Sequence, residues 1–314
     1  MNVLITGGFG FIGFHLAKKL LEREGTVVTL LDKAMENLDG DLHDLQQKYP
    51  SRLFLFRGDL CKGEFPEGEF GEVYHLAAMR GTKYSLYGEQ NPYTMLENNI
   101  TSTMNLINWC RGGKVVFAST GEVHGSLPDG VVPIPTPSTA FVGVSNVYDP
   151  RWTYSLSKIV GEMALIHANK DFLWTIVRMQ NPYGPRMGED NVIPKFIRRI
   201  LSGEKRLEVV TPNDTRPFTY IDDVVDALIL CMESSDADGE IVNIASPFEY
   251  TIKDIAVALQ AASGEEVEIV VPESAETEGE RRSLDVTKLQ ELGWDPDEDL
   301  MQGLITTWEW YKDK

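Results

Sequence analysis

Apolar runs of strand length alternate with stretches of helical periodicity along the first 180 residues of the chain. The runs predicted to form strands are Asn2 to Thr6, Thr26 to Leu31, Leu53 to Arg57, Glu72 to Leu76, Lys114 to Ala118 and Trp174 to Met179. The clearest predicted helices are Gly13 to Glu24, Met95 to Cys110 and Thr153 to Lys170. A regular alternation of this kind is typical of a parallel sheet covered by helices on both faces. The predicted fold is therefore α/β with a doubly wound parallel sheet.

Beyond residue 180 the rhythm loosens and prolines become frequent, which predicts a smaller, less regular C-terminal α/β lobe. We predict a first domain of residues 1–180, rejoined by about 218–245, and a second lobe made of residues 181–217 and 246–314. Residues 126–151 carry five prolines, too many for a helix or a strand, and form an unusually long connection. Such a loop is typical of a functional segment or lid, with a surface ornament as the alternative.

The first predicted turn has the sequence TGGFGFIG at residues 6–13, directly after a strand and directly before a helix. Gly7, Gly10 and Gly13 lie where a tight turn, close approach to a pyrophosphate and close helix-to-strand packing are needed. Phe11 and Ile12 open the helix, whose free N–H groups and dipole favour an anion at this end. The pattern predicts a Rossmann-type dinucleotide-binding turn, and a purely structural glycine-rich turn is the alternative.

An acidic residue ends the second predicted strand. Asp32 follows Gly13 by nineteen residues, close to the spacing of the carboxylate that accepts the ribose hydroxyls of a dinucleotide. A carboxylate there repels a 2′-phosphate, so NAD is predicted rather than NADP, and residues 1–180 are predicted to bind it. Asp59 and Leu60 follow the third strand and are candidates for the adenine edge, although an Asp at this point is equally expected to form a turn.

Tyr154 and Lys158 are spaced i and i+4 at the start of a predicted helix, so their side chains share one helix face. A lysine ammonium beside a tyrosine hydroxyl favours the phenolate and lowers the tyrosine pKa from about 10 towards the range of a general base. Thr120 and Glu122 follow the end of a strand, in a turn predicted to be exposed. At the C-terminal edge of a parallel sheet such residues face the ligand crevice. These four residues are the catalytic candidates.

The balance of charge excludes several partners. The chain has 29 Lys and Arg against 48 Asp and Glu, a net charge of −19. Because this acidity repels phosphate backbones and anionic lipid surfaces, we predict no nucleic-acid partner and no membrane partner. The three cysteines are widely spaced, so we predict that they are small buried apolar side chains and form no metal site. Their number and spacing favour a reduced, cytoplasmic protein. No apolar run has transmembrane length. Residues 264–280 carry seven Glu and no Lys or Arg, which predicts a mostly solvated surface.

Several short motifs occur in an order that resembles the extended short-chain dehydrogenases, the NAD-dependent epimerase/dehydratase family of sugar-nucleotide enzymes. The resemblance covers residues 1 to about 310. Its motifs are TGGFGFIG, Asp32, RGDL at 57–60, HLAA at 75–78, STGEVHG at 119–125, YSLSK at 154–158, RMQNPYGPRM at 178–187 and RPFTYIDDVVDA at 216–227. The resemblance implies a tightly held NAD, reduced and reoxidised within one catalytic cycle, and a nucleoside diphosphate sugar as substrate.

The resemblance also implies roles for individual residues. Tyr154 takes the proton of the sugar 4-hydroxyl while hydride leaves C4, Lys158 holds the nicotinamide ribose, and Thr120 hydrogen-bonds the same hydroxyl. Further residues implied to lie at the cofactor are Leu76, Ala77, Ala78 and Asn99. The residues implied to contact the substrate are Asn181 and Arg216, the latter through the nucleotide diphosphate, for which a fork of donors is suited.

Glu122 is the best discriminator within the family, because the pattern Ser-Thr-x-Glu-Val resembles 4,6-dehydratases and UDP-glucuronate decarboxylases more than plain 4-epimerases. Once C4 is a ketone, C5 is acidified, so a carboxylate facing C5 can assist elimination or loss of CO2. Gly121 stands where many 4,6-dehydratases place an acid, and loss of neutral CO2 needs no such acid. An arginine shortly before LGW at 292–294 also resembles the decarboxylases, and both Arg281 and Arg282 fit this position.

Two positions and one segment depart from the family pattern. His124 replaces the usual tyrosine, and Pro217 stands where Asp or Ala is usual. The loop at 126–151 is longer than expected. These departures bear on the identity of the substrate more than on the class of chemistry.

The leading prediction is an NAD-dependent enzyme that oxidises C4 of a nucleoside diphosphate sugar and then acts at C5, with decarboxylation of a UDP-uronate ahead of dehydration. The close alternative is a 4-epimerase, in which Glu122 is a supporting hydrogen-bonding residue. A non-catalytic NAD-sensing regulator is a further alternative, against which the complete set of catalytic candidates argues. The resemblance implies a homodimer through the helices Met95 to Cys110 and Thr153 to Lys170, although the apolar stripe of the second helix is equally explained as core.

Overall fold

The computed structural model describes residues 1–34, 38–80, 91–125, 132–276, 278–297 and 299–314. The strands in these ranges are β1 (Asn2–Thr6), β2 (Val27–Asp32), β3 (Leu53–Arg57), β4 (Glu72–His75), β5 (Lys114–Thr120), β6 (Leu173–Met179), β7 (Pro182–Tyr183), β8 (Arg206–Glu208), β9 (Thr215–Arg216), β10 (Thr219–Tyr220), β11 (Glu240–Ile244), β12 (Tyr250–Thr251) and β13 (Glu268–Val270). Seven of them form one parallel sheet in the order β11, β6, β5, β4, β1, β2, β3. In this sheet, the strands after β1 are added on one side of it as far as β3, and the strands from β4 onwards are added on its other side. A doubly wound fold opens its ligand crevice at such a change in strand order.

Helices cover both faces of this sheet. The α-helices of the described ranges are α1 (Phe11–Leu21), α2 (Gly40–Lys48), α3 (Pro92–Trp109), α4 (Thr153–Ile166), α5 (Val192–Leu201), α6 (Ile221–Glu233), α7 (Ile252–Ser263), α8 (Thr287–Glu291) and α9 (Leu300–Lys312). α1, α2 and α6 contribute buried apolar side chains to the core on one face, and α3 and α4 contribute to the core on the other. The predicted α/β fold with a Rossmann-type doubly wound sheet is therefore confirmed.

The six predicted strands are all present, with ends that differ from the prediction by two residues at most. The predicted helix ends are less accurate, and local capping explains two of the differences. α1 begins at Phe11 because Gly10 is still extended, with φ −76° and ψ 178°. α3 begins at Pro92 because the side chain of Asn91 accepts a hydrogen bond from the Thr94 N–H at 2.9 Å, and proline favours the first helical position.

A third core lies in the C-terminal part of the chain, where α5, α7 and α9 pack together. Three two-stranded pairings accompany these helices: β7 with β10, β9 with β12, and β8 with β13. β11 lies at the edge of the large sheet beside β6, although it follows these smaller strands in sequence. The division of the chain into two binding lobes stays a prediction.

All three cysteines are free thiols, and Cys110 and Cys231 are buried. Burial raises the pKa of both thiols to about 12, because an apolar environment disfavours the thiolate. These two cysteines therefore act as small apolar core residues. Among the helices of the described ranges, none is long and apolar enough to cross a membrane.

His75, the last residue of β4, makes a pH-dependent contribution to stability. Its ring lies fully buried between the hydroxyl oxygens of Thr6 at 2.7 Å and Thr103 at 3.1 Å, and burial lowers its pKa to about 3. Below pH 6.5 the unfolded chain takes up a proton at this residue and the folded chain does not, so stability decreases as the pH falls. We expect His75 to account for about 2 kcal/mol of the decrease in unfolding free energy between pH 7 and pH 5.

Urea unfolding at the two pH values measures this contribution. In the variant His75→Gln the difference between pH 7 and pH 5 should shrink by about 2 kcal/mol. His43 is exposed on α2, so His43→Gln is the matched control and should leave the difference unchanged. An equal pH dependence in wild type and His75→Gln would contradict the assignment.

Candidate active site

The turn between β1 and α1 is shaped to accept a pyrophosphate. Gly7 has a φ of +68°, and a Cβ at this position would lie 2.8 Å from the backbone N of Ala77. A Cβ at Gly13 would lie 2.6 Å from the carbonyl oxygen of Gly7. Gly10, the N-cap residue of α1, has no side chain to occupy the first N–H groups of the helix. The three predicted glycines therefore keep the turn tight and leave backbone donors for an anion.

Asp32 is held beside this turn. One carboxylate oxygen accepts a hydrogen bond from the Phe9 N–H at 3.1 Å, and the other accepts one from the Ala34 N–H at 2.9 Å. Because Phe9 belongs to the glycine-rich turn, the carboxylate lies next to the pyrophosphate position, where the adenosine ribose of a dinucleotide is expected. Its negative charge disfavours a ligand with an additional phosphate on that ribose.

Asp59 and Leu60 have structural roles at the end of β3. The Asp59 carboxylate accepts a hydrogen bond from the Cys61 N–H at 3.0 Å and caps a single 3-10 turn, and the Lys33 Nζ atom lies 3.9 Å from it. Leu60 is 5% exposed and belongs to the core beneath α3. The contacts of Asp59 are therefore those of a turn-forming residue. Contact of Asp59 and Leu60 with adenine stays a prediction.

The segment after β4 lies against the glycine-rich turn. The backbone N–H groups of Leu76 and Ala77 donate to the carbonyl and hydroxyl oxygens of Thr6, each at 3.2 Å. Leu76 and Ala77 are half-buried, and Ala78 is exposed. This segment therefore forms a second wall beside the turn, as expected for residues at the cofactor.

Asn99 connects the segment after β4 to α4, the helix that carries Tyr154 and Lys158. Its Oδ1 accepts a hydrogen bond from the Met79 N–H at 2.7 Å, and its Nδ2 donates to the Met79 carbonyl and to the Ser157 hydroxyl, both at 3.0 Å. The side chain is buried and its amide is satisfied by protein groups. Asn99 therefore positions the site, and a direct contact with cofactor stays a prediction.

Tyr154 and Lys158 lie together on the first two turns of α4. The Lys158 Nζ atom is 5.8 Å from the centroid of the Tyr154 ring and donates to the carbonyl oxygen of Ala118 at 2.7 Å. Lys158 is only 3% exposed, and burial lowers its pKa to about 8, with Glu162 acting in the opposite direction. The predicted pairing of a tyrosine with a lysine at the carboxyl end of β5 is present.

Thr120 and Glu122 form a short turn at the same edge of the sheet. The Thr120 hydroxyl accepts a hydrogen bond from the Glu122 N–H at 3.2 Å, at the start of the 3-10 turn Gly121–Val123. The expectation that both residues are exposed is wrong for Thr120, which is 8% exposed because it is still the last residue of the buried strand β5. Glu122 is exposed, so its carboxylate is available to a ligand.

A buried network below this turn was missed from sequence. The Arg178 guanidinium donates to both Glu162 carboxylate oxygens at 2.9 and 2.7 Å and to His124 Nε2 at 3.1 Å. The other ring nitrogen of His124 lies 2.9 Å from the carbonyl oxygen of Phe141, so it carries the proton and the ring is neutral. Burial, with a smaller effect from Arg178, lowers the pKa of His124. The replacement of the usual tyrosine by His124 is the sequence signal that points to this network.

Hydrogen bonds from the same network hold the long proline-rich loop at 126–151. Arg178 also donates to the carbonyl oxygen of Ser138 at 2.7 Å, and the Gly143 N–H donates to the carbonyl oxygen of Val123 at 3.2 Å. The first part of the loop, 126–131, lies outside the described residues. The rest is joined to the catalytic turn by these hydrogen bonds, so it forms part of the site's surroundings.

Asn181 follows β6 at the carboxyl edge of the sheet. Its φ of 44° lies in the left-handed region, and its backbone carbonyl accepts a hydrogen bond from the Thr219 N–H at 3.1 Å. The side-chain Nδ2 atom is buried without a hydrogen-bond partner. An unsatisfied buried donor costs about 1–3 kcal/mol, and this donor is available to a ligand.

The three candidate arginines do not share one position. Arg216 and Arg282 both contact the Glu280 carboxylate, at 2.9 and 2.7 Å, whereas Arg281 forms two 2.8 Å hydrogen bonds to Glu249. A Cβ on Gly125 would lie 3.5 Å from Nη1 of Arg282, so this guanidinium lies against the turn that carries Glu122. Arg281 is 54% exposed, and Arg282 is 24% exposed. Of these two arginines, Arg282 therefore lies near Arg216 and the turn that carries Glu122, and contact of either with a substrate stays a prediction.

The sheet order, the glycine-rich turn and the adjacent Tyr154 and Lys158 define the short-chain dehydrogenase class of dinucleotide-dependent enzymes. The family can be stated as well. The chain belongs to the NAD dependent epimerase/dehydratase family, whose family model matches residues 3–245. The resemblance inferred from the motifs is thereby confirmed.

Curated relatives and solved structures agree with this family. The chain is 34% identical to UDP-N-acetyl-alpha-D-glucosaminuronate decarboxylase of Bacillus cytotoxicus, an alignment that covers 99% of this chain and 97% of that protein. It is 32% identical to UDP-glucuronic acid decarboxylase 6 of Arabidopsis thaliana, with 97% of this chain and 87% of that protein covered. The crystal structure of UDP-glucuronic acid 4-epimerase from Bacillus cereus, in complex with UDP-glucuronic acid and NAD, matches with a TM-score of 0.80 and 27% identity, over 100% of this chain and 99% of that one.

NAD is the cofactor, and the residues of this site fit it. Side chains at Gly7 and Gly13 would collide with the backbone of Ala77 and of the turn itself, so glycine keeps the turn tight enough for a pyrophosphate. The Asp32 carboxylate is held beside this turn, and its contact with ribose hydroxyls stays a prediction. Lys158 lies next to Tyr154 at the carboxyl end of β5, which β4 and β1 separate from Asp32 at the end of β2. When bound, NAD supplies a hydride acceptor for C4 of the sugar and returns the hydride at the end of the cycle.

Proposed function

We propose that this enzyme decarboxylates a UDP-uronate, either UDP-glucuronate or its 2-acetamido analogue. The observation that carries the proposal is the position of Arg282 against the same turn as Glu122. This turn follows β5, to which Lys158 is hydrogen-bonded through the Ala118 carbonyl. The two most similar relatives reported above are both named as decarboxylases, which supports it. The class of substrate, a nucleotide sugar, agrees with the ligands of the structural neighbours.

The side chains of the site have complementary tasks in this reaction. Tyr154 takes the proton of the 4-hydroxyl, and Thr120 hydrogen-bonds the same oxygen. The buried Lys158 ammonium stabilises the phenolate and holds the nicotinamide ribose. The 4-keto sugar is a β-keto acid, so its carboxylate leaves C5 as CO2, with Glu122 acting at C5. C5 then takes up a proton in place of the lost carboxylate. Return of the hydride to C4 and of the Tyr154 proton to the C4 oxygen gives a UDP-pentose.

The nucleotide sugar is expected to lie between the sheet edge and the C-terminal residues 181–217 and 246–314. Asn181 offers an unsatisfied Nδ2 donor, and Arg216 and Arg282 offer guanidinium forks for the diphosphate or the uronate carboxylate. These local cations explain how an enzyme of net charge −19 binds a polyanionic small molecule.

Incubation with UDP-glucuronate, its 2-acetamido analogue and UDP-glucose, followed by NMR, tests the function. The expected product is a UDP-pentose with C6 lost as CO2, formed from a uronate and not from UDP-glucose. A uronate that keeps C6 and has an inverted C4 would instead identify a 4-epimerase, the activity named for several solved structures of similar fold.

The two neighbouring arginines allow a matched comparison. We expect Arg282→Ala to raise the KM for the UDP-uronate about tenfold or more, because a charge-assisted fork to the substrate is lost. Arg281→Ala, which breaks the pair with Glu249 on the surface, should change KM less than about twofold. Steady-state kinetics of the two variants measure this, and a larger effect of Arg281→Ala would reverse the assignment.

We propose that the enzyme is a homodimer formed through α3 and α4. Part of the apolar stripe on α4 is not core, since Met163 is 57% exposed and Ile166 is 37% exposed, whereas Leu165 is buried. Met104 on the neighbouring α3 is also exposed. The reduced cytoplasmic location stays a prediction from sequence.

Met163→Glu places a charge on this apolar face and is expected to convert the dimer to a monomer in sedimentation velocity experiments. The reason is that an unpaired carboxylate is costly to bury at an interface. Met301 is similarly exposed but lies on α9, so Met301→Glu serves as the control and should leave the dimer intact. A wild-type enzyme that sediments as a monomer would contradict the proposed dimer.

A further inference from the structure

One carboxylate bridges the two arginines that we propose for the substrate. Oε2 of Glu280 accepts a hydrogen bond from Nη2 of Arg216 at 2.9 Å, and Oε1 accepts one from Nε of Arg282 at 2.7 Å. Nη2 of Arg282 also lies 2.6 Å from Oε1. The two guanidinium groups thus share one negative charge, and each carboxylate oxygen occupies donors that would otherwise hold an anion.

Arg216 keeps its position through contacts that do not involve this carboxylate. Its Nη1 atom donates to the backbone carbonyl oxygens of Thr215 at 2.8 Å and of residue 280 at 2.7 Å, and its Nη2 atom donates to Asp214 at 3.2 Å. The backbone carbonyl at position 280 is retained in any side-chain variant. Removal of the Glu280 carboxylate should therefore free arginine donors without releasing the arginine.

The charges explain why the bridge forms. Burial has the largest effect in lowering the pKa of Arg216, the nearby Arg282 lowers it further, and Glu280 raises it. Arg216 is 16% exposed and Arg282 is 24% exposed, so solvent screens their mutual repulsion only partly. An anion that replaces Glu280 would restore neutrality, so the unbridged pair should bind anions more tightly than the bridged pair.

We propose that Glu280 is an internal competitor for the anionic part of the substrate, and thereby lowers the affinity of the site for anions that bind these two arginines. The inference rests on the proposed function, which assigns Arg216 and Arg282 to the nucleotide sugar. A free phosphate ion would contact only these two arginines, and it must displace the Glu280 carboxylate to do so. A nucleoside diphosphate sugar also gains contacts through its base, ribose and sugar, which offset the displacement. The Glu280 carboxylate therefore weakens the binding of both kinds of ligand, and a nucleotide sugar remains bound because of its additional contacts.

The segment that carries Glu280 was predicted from sequence to be mostly solvated surface. Glu268, in the same segment, fits that prediction, because its pair with Arg206 is about two-thirds exposed on both sides. Glu280 is also exposed, at 46%, but its carboxylate turns back to two partly buried arginines. Glu249 lies nearby and pairs with Arg281, not with Arg216 or Arg282, so it is a matched control.

Isothermal titration calorimetry of the NAD-loaded enzyme with UDP, and separately with inorganic phosphate, tests the inference. Glu280→Gln keeps the size of the side chain and removes its charge, and it should bind UDP about tenfold more tightly than wild type. Phosphate affinity should rise by a similar factor. Glu280→Ala should change both affinities in the same direction, and Glu249→Gln should change them less than about twofold.

Unchanged or weaker UDP and phosphate binding by both Glu280 variants would overturn the inference. Equal tightening by Glu249→Gln would also overturn it, because the effect would then come from the general loss of negative charge. Failure of the wild-type enzyme to bind UDP at all would contradict the proposed function, and the phosphate titration would still decide the role of Glu280.

Discussion

Turnover of the UDP-uronate is expected to fall about 100-fold or more when Tyr154 is replaced by Phe, with NAD still bound. The phenol oxygen is the group assigned to proton transfer at the 4-hydroxyl, and loss of a positioned general base has an effect of this size. The phenylalanine ring fills the same half-buried space. Lys158 keeps its 2.7 Å hydrogen bond to the Ala118 carbonyl, so the cofactor groove should be unaffected.

Steady-state turnover, together with the NAD released on denaturation, measures this effect. Tyr148→Phe is the matched control, because Tyr148 is 92% exposed and precedes the catalytic helix. This control should retain full activity and full NAD content. A Tyr154→Phe enzyme with turnover within tenfold of wild type would remove the tyrosine from the mechanism.

Release of CO2 should fall about 100-fold or more in Glu122→Gln, while oxidation at C4 continues. Glutamine matches glutamate in size and keeps hydrogen-bonding capacity, so the change isolates the negative charge near C5. The hydrogen bond between the Glu122 N–H and the Thr120 hydroxyl involves the backbone and is retained. We therefore expect the first half-reaction to proceed and its 4-keto product to accumulate.

Absorbance of the reduced cofactor and mass spectrometry of the sugar products follow the two halves of the reaction separately. Glu189→Gln is the matched control, because Glu189 is an exposed carboxylate paired with Arg198 on the surface. The epimerase alternative makes the opposite prediction. In that case the turnover of Glu122→Gln would fall less than tenfold, and the product would be the C4 epimer.

Much of the nucleotide-binding half could be predicted because its signals are local in sequence. β1 has the predicted ends, since a strand buried on both faces appears as a nearly continuous apolar run. β3 also has the predicted ends, although it lies at the edge of the sheet and is only partly buried. The glycine-rich turn, Asp32 and the Tyr154–Lys158 pair are each recognised from spacing within one βα unit or one helix. These features are sufficient to identify the cofactor and the class of chemistry.

The helices α5, α7 and α9 were not predicted, although each is regular in the structure. They bury their apolar faces mainly against one another in a separate core, and the prolines between them interrupt the pattern along the chain. Periodicity predicts a helix best when one stripe of a long, uninterrupted segment is apolar. The smaller lobe was therefore predicted as a region and not as a set of elements.

The sequence by itself predicted six of the seven strands of the large sheet, the cofactor and the Tyr154–Lys158 pair, because each of these signals lies within a short stretch of the chain. Only the tertiary structure decided that Arg282 and not Arg281 joins Arg216, and that Glu280 bridges them across 64 residues. It also decided that His124 connects Arg178 to the long loop. The physical reason is that these contacts are charge and hydrogen-bond pairings between distant segments, whose register along a neighbouring element no local pattern specifies.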